Sequence, residues 1–182
     1  MTRRHPISDL TPGTWTLDPA HTSAAFTVRH AGISKARGQF SDVEGSLVVG
    51  EGGEDLAFTA TLRTESVSTS NEDRDGHLKS ADFFDVENHP EITFRSTSLE
   101  GDTLHGELTI RDTTKPVELD FSYEGAATDP FGVYRAGFTG ETTISRKEFG
   151  LTWNAALEAG GVLVADAVKI SIEAEFTAPT AA

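Results

Sequence analysis

A chain of 182 residues with eleven Phe, no Cys and a formal charge of −14 is long enough for one well-buried core and requires no second domain. Its 29 acids against 15 Lys and Arg repel phosphate backbones, which removes nucleic acid from the expected partners and disfavours anionic membranes as bulk partners. Without cysteine there is no disulfide framework, no thiolate metal site and no cysteine nucleophile.

Residues 1–12 are polar and broken by Pro6 and Pro12, and read as a flexible lead-in. Arg3-Arg4 is not followed by the apolar run of roughly 7–15 residues that an export signal needs. No stretch approaches the roughly 18 apolar residues of a membrane span. A cytoplasmic location and no integral membrane segment are the expectations.

From residue 13 to 177 the dominant pattern is alternation with period two, the mark of antiparallel strands with one wet face. Ala24, Phe26 and Val28 share a face, as do Leu56, Phe58, Ala60 and Leu62. Ile92 and Phe94 follow, then Leu104, Leu108 and Ile110, then Val117, Leu119, Phe121 and Tyr123. Tyr134, Ala136 and Phe138 repeat the pattern, and Val168, Ile170, Ile172, Ala174 and Phe176 close it. Turn chemistry separates these runs at residues 50–55 and at Glu100-Gly101-Asp102. Phe40 breaks parity with Val43, Leu47 and Val49, which predicts a β-bulge near Ser41-Asp42. Residues 70–80 lack alternation and read as a short helix capped by Ser70, with acids in its first turn. Residues 145–154 read as a turn or single helical turn before an irregular loop, and residues 178–182 as a flexible tail. The fold class is therefore all-β: eight or nine long strands favour an eight-stranded antiparallel barrel with one short helical insertion, a sandwich being the alternative.

Several blocks in this order resemble the YceI-like family of polyisoprenoid-binding, lipocalin-like proteins. They are Trp15-Thr16-Leu17-Asp18-Pro19-Ala20-His21-Thr22-Ser23, Phe26-Thr27-Val28-Arg29-His30, the run from Arg74 to Val86, and His89-Pro90 with Ile92-Thr93-Phe94. Leu108-Thr109-Ile110, residues 113–117, and Arg146 with Phe149-Gly150-Leu151 complete the match. The resemblance implies an extended barrel whose apolar tunnel holds an isoprenoid or other lipid chain, and a homodimer. Many family members carry an export signal, and the present N-terminus departs from that pattern.

Phe26, Val28, Phe40, Phe58, Leu78, Phe83, Phe84, Phe94, Leu108, Ile110, Phe149 and Trp153 are the candidate lining of that tunnel; the competing reading is that they simply pack a core. Burying hydrocarbon is worth roughly 0.8 kcal/mol per CH₂, so a long lipid needs no elaborate polar site. Arg74, His77 and Lys79 are candidates to meet a head group at the mouth, with His21 counted beside them. Arg74 leads because its planar fork pairs with phosphate; the alternative is a solvated charged face. None of the six His has helical His-x₃-His spacing, so no metal is expected. The chain also has no Gly-x-Ser-x-Gly elbow and no Walker loop. Neither a cofactor nor catalytic residues are expected, and an isoprenoid or fatty chain is the expected ligand. A barrel enzyme acting on a hydrophobic substrate and a stress-associated interaction module stand as alternatives.

Overall fold

The computed structural model describes residues 10–51, 55–157 and 161–179. Its strands are β1 (Gly13–Leu17), β2 (Ser23–His30), β3 (Ser34–Phe40), β4 (Val43–Val49), β5 (Leu56–Arg63) and β6 (Val67–Ser68). A helix α1 (Glu72–Lys79) precedes β7 (Glu91–Glu100), β8 (Thr103–Ile110), β9 (Thr113–Thr128), β10 (Tyr134–Ser145) and β11 (Val164–Thr177). All pairings are antiparallel, and Leu17↔Phe176 joins β1 to β11 so that the sheet closes on itself. β1 with β2, β3 with β4, and β5 with β6 are each one span interrupted once. The eleven segments thus form the eight spans of an up-and-down barrel, in the expected fold class.

The three interruptions lie side by side and form a waist. In the first span, Pro19–His21 is a single 3₁₀ turn capped by Asp18, whose Oδ1 accepts from the Ala20 amide at 3.0 Å. Pro19 presets the φ that such a turn needs. In the second span, Ser41 and Asp42 leave the ladder instead of forming the expected bulge. Asp42 takes the Arg63 amide on its carbonyl at 2.9 Å and donates its own to Ser66 Oγ at 3.1 Å. Parity changes because two residues stand outside the ladder on this span against four, 63–66, on its neighbour: Phe40 faces Val67 and Val43 faces Leu62. Register slips do occur elsewhere, between Ser96 and Ser98, Gly137 and Phe138, and Val164 and Val168, and these are the bulges that let the sheet curve.

The expected helix forms, one residue later than Ser70 would place it. Ser70 has φ 61, which is incompatible with the extended backbone of a cap. Asn71 is the cap instead, its Oδ1 accepting from the Arg74 amide at 3.0 Å. Eight residues with no buried side chain cannot hold a helix by themselves. The Asp75 carboxylate ties it down, accepting from the Thr69 amide at 2.7 Å and the Thr69 hydroxyl at 2.6 Å.

The hairpin at Gly101 (φ 60) is as tight as expected, with Glu100 opposite Thr103. Arg146–Phe149 is a single 3₁₀ turn ended by left-handed Gly150. Within the lead-in and tail predicted to be flexible, Leu10 is 2% exposed and the Ala178 amide donates to the Tyr134 carbonyl at 2.9 Å, so the packed domain runs past both expected boundaries. Residues 1–9, 52–54 and 180–182 lie outside the described residues, and with them parts of the predicted lead-in, turn and tail.

Inward residues divide at the waist into two clusters. One gathers Trp15, Leu47, Phe58, Phe121, Tyr123, Phe138 and Phe176 at the end where β1 starts and β11 finishes. The other gathers Phe40, Val67, Phe83, Ile92, Ile110, Phe149 and Leu151 beneath α1. Phe94, Leu62 and Val117 touch both.

Candidate functional site

The first cluster is a plug. Phe58 stands among Phe121, Phe138 and Phe176 at centroid distances of 5.6, 5.3 and 5.8 Å. Trp15 is fully buried, packs on Tyr134 at 5.5 Å and donates its indole N–H to the Thr11 carbonyl. Only a residual space of about 80 Å³ remains there.

Above the waist the barrel is hollow. A cavity of about 310 Å³ opens beneath α1, at the lower end of the roughly 300–1,000 Å³ of small-molecule sites. Ten of the twelve tunnel candidates line it. Phe26, Val28, Phe40, Phe94, Leu108 and Ile110 come from the walls, whereas Leu78, Phe83, Phe84 and Trp153 come from the helical insertion and the loop after β10. Two candidates sit elsewhere. Phe58 belongs to the plug because its strand position lies below the waist. Phe149 is 2% exposed and packed within the second cluster, outside the cavity surface, because the turn directs its ring into the wall.

The alternation contained a further signal, unread in the sequence: small inward residues. Ala24, Ala36 and Ala60 line the cavity and leave its space open. Two glycines act similarly. A Cβ on Gly38 would collide with the Phe26 ring, and one on Gly106 with the Phe94 ring. The outer edge of each ring therefore occupies the space over a glycine on the neighbouring strand, which a side chain there would deny it. Val168, Ile170 and Ile172 supply the β11 wall; their common face was legible, their place at the lumen was not.

At the mouth, the His77 ring meets Trp153 at 4.5 Å and Phe83 at 5.1 Å, both edge-on, and its Nε2 lies 2.9 Å from Asp82. Arg74 lines the cavity while donating from Nε to Thr69 Oγ1 at 2.7 Å and from a terminal nitrogen to the Thr69 carbonyl at 2.8 Å. The other two head-group candidates lie apart. Lys79 turns away to Glu65 at 3.2 Å. His21 belongs to the waist of the first span, 2.9 Å from Asp18, because the 3₁₀ turn folds it back on its own cap.

Arg146, legible in the sequence only as part of the motif with Phe149-Gly150-Leu151, also lines the cavity and is 5% exposed. Its guanidinium donates to four carbonyls, those of Ala165, Leu151, Trp153 and Val164, at 2.8, 2.6, 2.9 and 3.1 Å. Burial pushes its pKa down, against the pull of Asp166. Asn154 completes the latch, donating to the Val164 carbonyl at 2.7 Å and accepting the Val164 amide at 3.0 Å. Together they clamp the loop that carries Leu151 and Trp153 over the lumen.

A second polar network staples the waist from outside. Arg135 donates to Asp18 at 2.6 Å, Asp129 at 2.7 Å and Glu175 at 3.2 Å. The Arg135 hydrogen bond, reinforced by His21, holds the Asp18 carboxyl down at about 2. Arg135 likewise lowers Asp129. Because the folded pKa of Asp18 is depressed, its stabilisation is full above the unfolded value of about 4 and is lost as pH falls through about 2. Urea midpoints are expected to fall over that window in the native chain. Arg135→Leu should lower the midpoint above pH 4 and flatten the slope below it; an unchanged slope would remove the staple from the account.

No group of three or more His, Cys, Asp or Glu among the described residues is placed to hold a metal ion, and no described helix is long and apolar enough to cross a membrane.

The same architecture occurs in known proteins. The chain is 36% identical over 168 residues to a UPF0312 protein of Staphylococcus aureus strain N315, covering 90% of this chain and 96% of the relative. The fold superposes on the YceI protein of Campylobacter jejuni with a TM-score of 0.71 at 26% identity, over 84% of this chain and 90% of that one. A polyisoprenoid binding domain from Saccharophagus degradans gives 0.70 at 12% identity, over 91% and 98%, a likeness of fold alone. The YceI-like domain model matches residues 15–176, nearly the whole barrel, and the chain belongs to the YceI-like family.

Proposed function

We propose that this protein binds and carries or sequesters a single long apolar chain, an isoprenoid or similar lipid, in the cavity above the waist, without transforming it. The observation that carries the reading is a lumen walled by hydrocarbon that opens beside a small polar cluster. Each CH₂ buried there is worth about 0.8 kcal/mol, roughly fourfold in Kd. Affinity therefore grows with chain length until the plug is reached. A fold neighbour, the polyisoprenoid binding domain from Saccharophagus degradans, agrees in chemistry with this lining. At the mouth, Arg74 and His77 border the lumen, and Arg74 keeps guanidinium donors beyond its two bonds to Thr69 for an anionic or carbonyl-bearing head group. What supports carriage over catalysis is that these polar groups are fixed to Thr69 and Asp82 at the rim, while the depth of the site is aliphatic and aromatic.

Native mass spectrometry of the gently purified chain tests this: an adduct of lipid mass is the expected result. Gly38→Ala is the companion variant. Its new methyl displaces the Phe26 ring, which borders the open cavity and is expected to move into it. The variant should fold and lose most of the adduct. Equal adduct in both proteins would place the lipid outside the cavity.

A further inference from the structure

We propose that the β2–β3 hairpin is a docking surface for an anionic lipid bilayer, holding the open end of the cavity against the membrane. The charge distribution leads to it. Residues 19–41 contain no Asp or Glu, in a chain of net charge −14. Arg29, Lys35 and Arg37 in this stretch are all exposed. The register sets Arg29 directly opposite Lys35 and Thr27 opposite Arg37, so these positions alternate with Phe26, Val28 and Ala36 of the lumen wall, and exposed Arg29 also borders the cavity.

Like charges directly opposite on neighbouring strands are unfavourable, and no carboxylate among the described residues relieves them. Arg63, Arg95, Arg135, Lys79 and Lys169 all meet carboxylates. The hairpin cations meet none among the described residues; Arg29 donates only to the Gly32 carbonyl, at 3.4 Å. An uncompensated basic surface on an acidic protein fits an anionic partner.

The tip adds the apolar half of the chemistry. Ile33 is 85% exposed at the turn, and Val162 is 50% exposed on the neighbouring loop. The Ala31 amide donates to the Leu163 carbonyl at 2.7 Å, which ties both loops into one rim, and Leu163 itself lines the cavity. A branched aliphatic tip flanked by Lys and Arg suits the boundary between head groups and acyl chains. It suits a nucleic acid poorly, which would call for aromatic platforms or base-edge contacts on that face. The acids Glu72 and Asp73 of α1, on the helix that covers the mouth, turn the rest of that end away and orient the approach. The bulk repulsion expected from net charge is thereby confined to the other faces.

Flotation with vesicles of equal parts phosphatidylcholine and phosphatidylglycerol tests the surface. Each Lys or Arg near such a membrane is worth roughly fivefold in partitioning, so K35Q/R37Q should bind roughly 25-fold less. I33D should also lose binding, R63Q/R95Q, whose cations are already paired with Glu44, Glu91 and Glu107, should keep it, and both raised salt and pure phosphatidylcholine vesicles should abolish it. Equal binding by K35Q/R37Q and the native chain would overturn the proposal. So would absence of binding together with a K35Q/R37Q-sensitive dimer in sedimentation, or with K35Q/R37Q-sensitive binding to duplex DNA. The purpose of docking rests on the lipid-cavity reading, but flotation reads the surface alone. A chain that floats yet carries no lipid adduct defeats the cavity reading, and one that carries adduct yet never floats defeats the docking.

Discussion

Arg146→Met is expected to destabilise the protein by about 3–5 kcal/mol, the range for removing one side of a buried charged interaction, and to release the loop over the cavity. Two effects oppose each other at this position. Taking a nearly buried cation out of the wall relieves a desolvation cost, visible in its lowered pKa. Against that, the carbonyls of Leu151, Trp153 and Ala165 lose this donor together, while that of Val164 keeps only Asn154. Each unsatisfied buried acceptor costs about 1–3 kcal/mol, so the three orphaned carbonyls outweigh the relief even if water reaches one of them. Lysine is no substitute: its compact ammonium cannot span four acceptors spread over the loop and β11. Urea denaturation should place R146K close to R146M. Hydrogen exchange should show the amides of Leu163 and Val164, which now donate to the Ala155 carbonyl and to Asn154 Oδ1, exchanging early in both. An R146M variant as stable as the native chain would mean the latch contributes nothing.

Phe58→Ala should cost a comparable amount, about 3–5 kcal/mol, and lower Tm by roughly 10 °C for a domain of this size. The ring is 8% exposed and closes the plug against three other Phe rings, so its removal leaves a void that rigid strands on all sides cannot fill. Phe26→Ala offers the contrast. Phe26 is only partly buried and borders space that is already open, so it should cost about half as much or less. The two variants also separate in binding. Phe58→Ala extends the lumen past the waist and should shift preference toward longer chains, whereas Phe26→Ala widens it and should not. Calorimetry on both, with a length series of fatty chains, checks the division of the barrel into plug and cavity. Equal losses of stability would abolish that division.

Much of the barrel was legible because its physics is local. One wet and one dry face impose period two on each strand, and the inward sets from Phe58 to Phe176 follow from that alone. What could not be read was height along the barrel axis. Phe58 and Phe94 alternate identically in sequence, and only the pairing of β1 with β4 and β11 puts one in the plug and the other at the boundary of the cavity. The break at Ser41-Asp42 looked like a bulge because parity reports that a ladder is disturbed, not that it has ended. Ser70 looked like the cap because side-chain chemistry is visible in sequence and a φ of 61 is not. His21 and Lys79 were grouped with Arg74 and His77 by residue type, and local turns separate them. Arg146 escaped because a buried cation bonded wholly to backbone carbonyls has no partner residue to betray it. The net charge similarly concealed the β2–β3 hairpin, whose sign opposes that of the whole.

The measurement that bears most directly on the account is a crystal structure of the chain purified without added ligand, with difference density inspected along the barrel axis. Continuous elongated density is expected between Trp153 at the mouth and Leu119 near the waist, ending at the aromatic plug. A lumen closed by inward movement of Phe26, Phe40 and Phe94, with no such density, would contradict it.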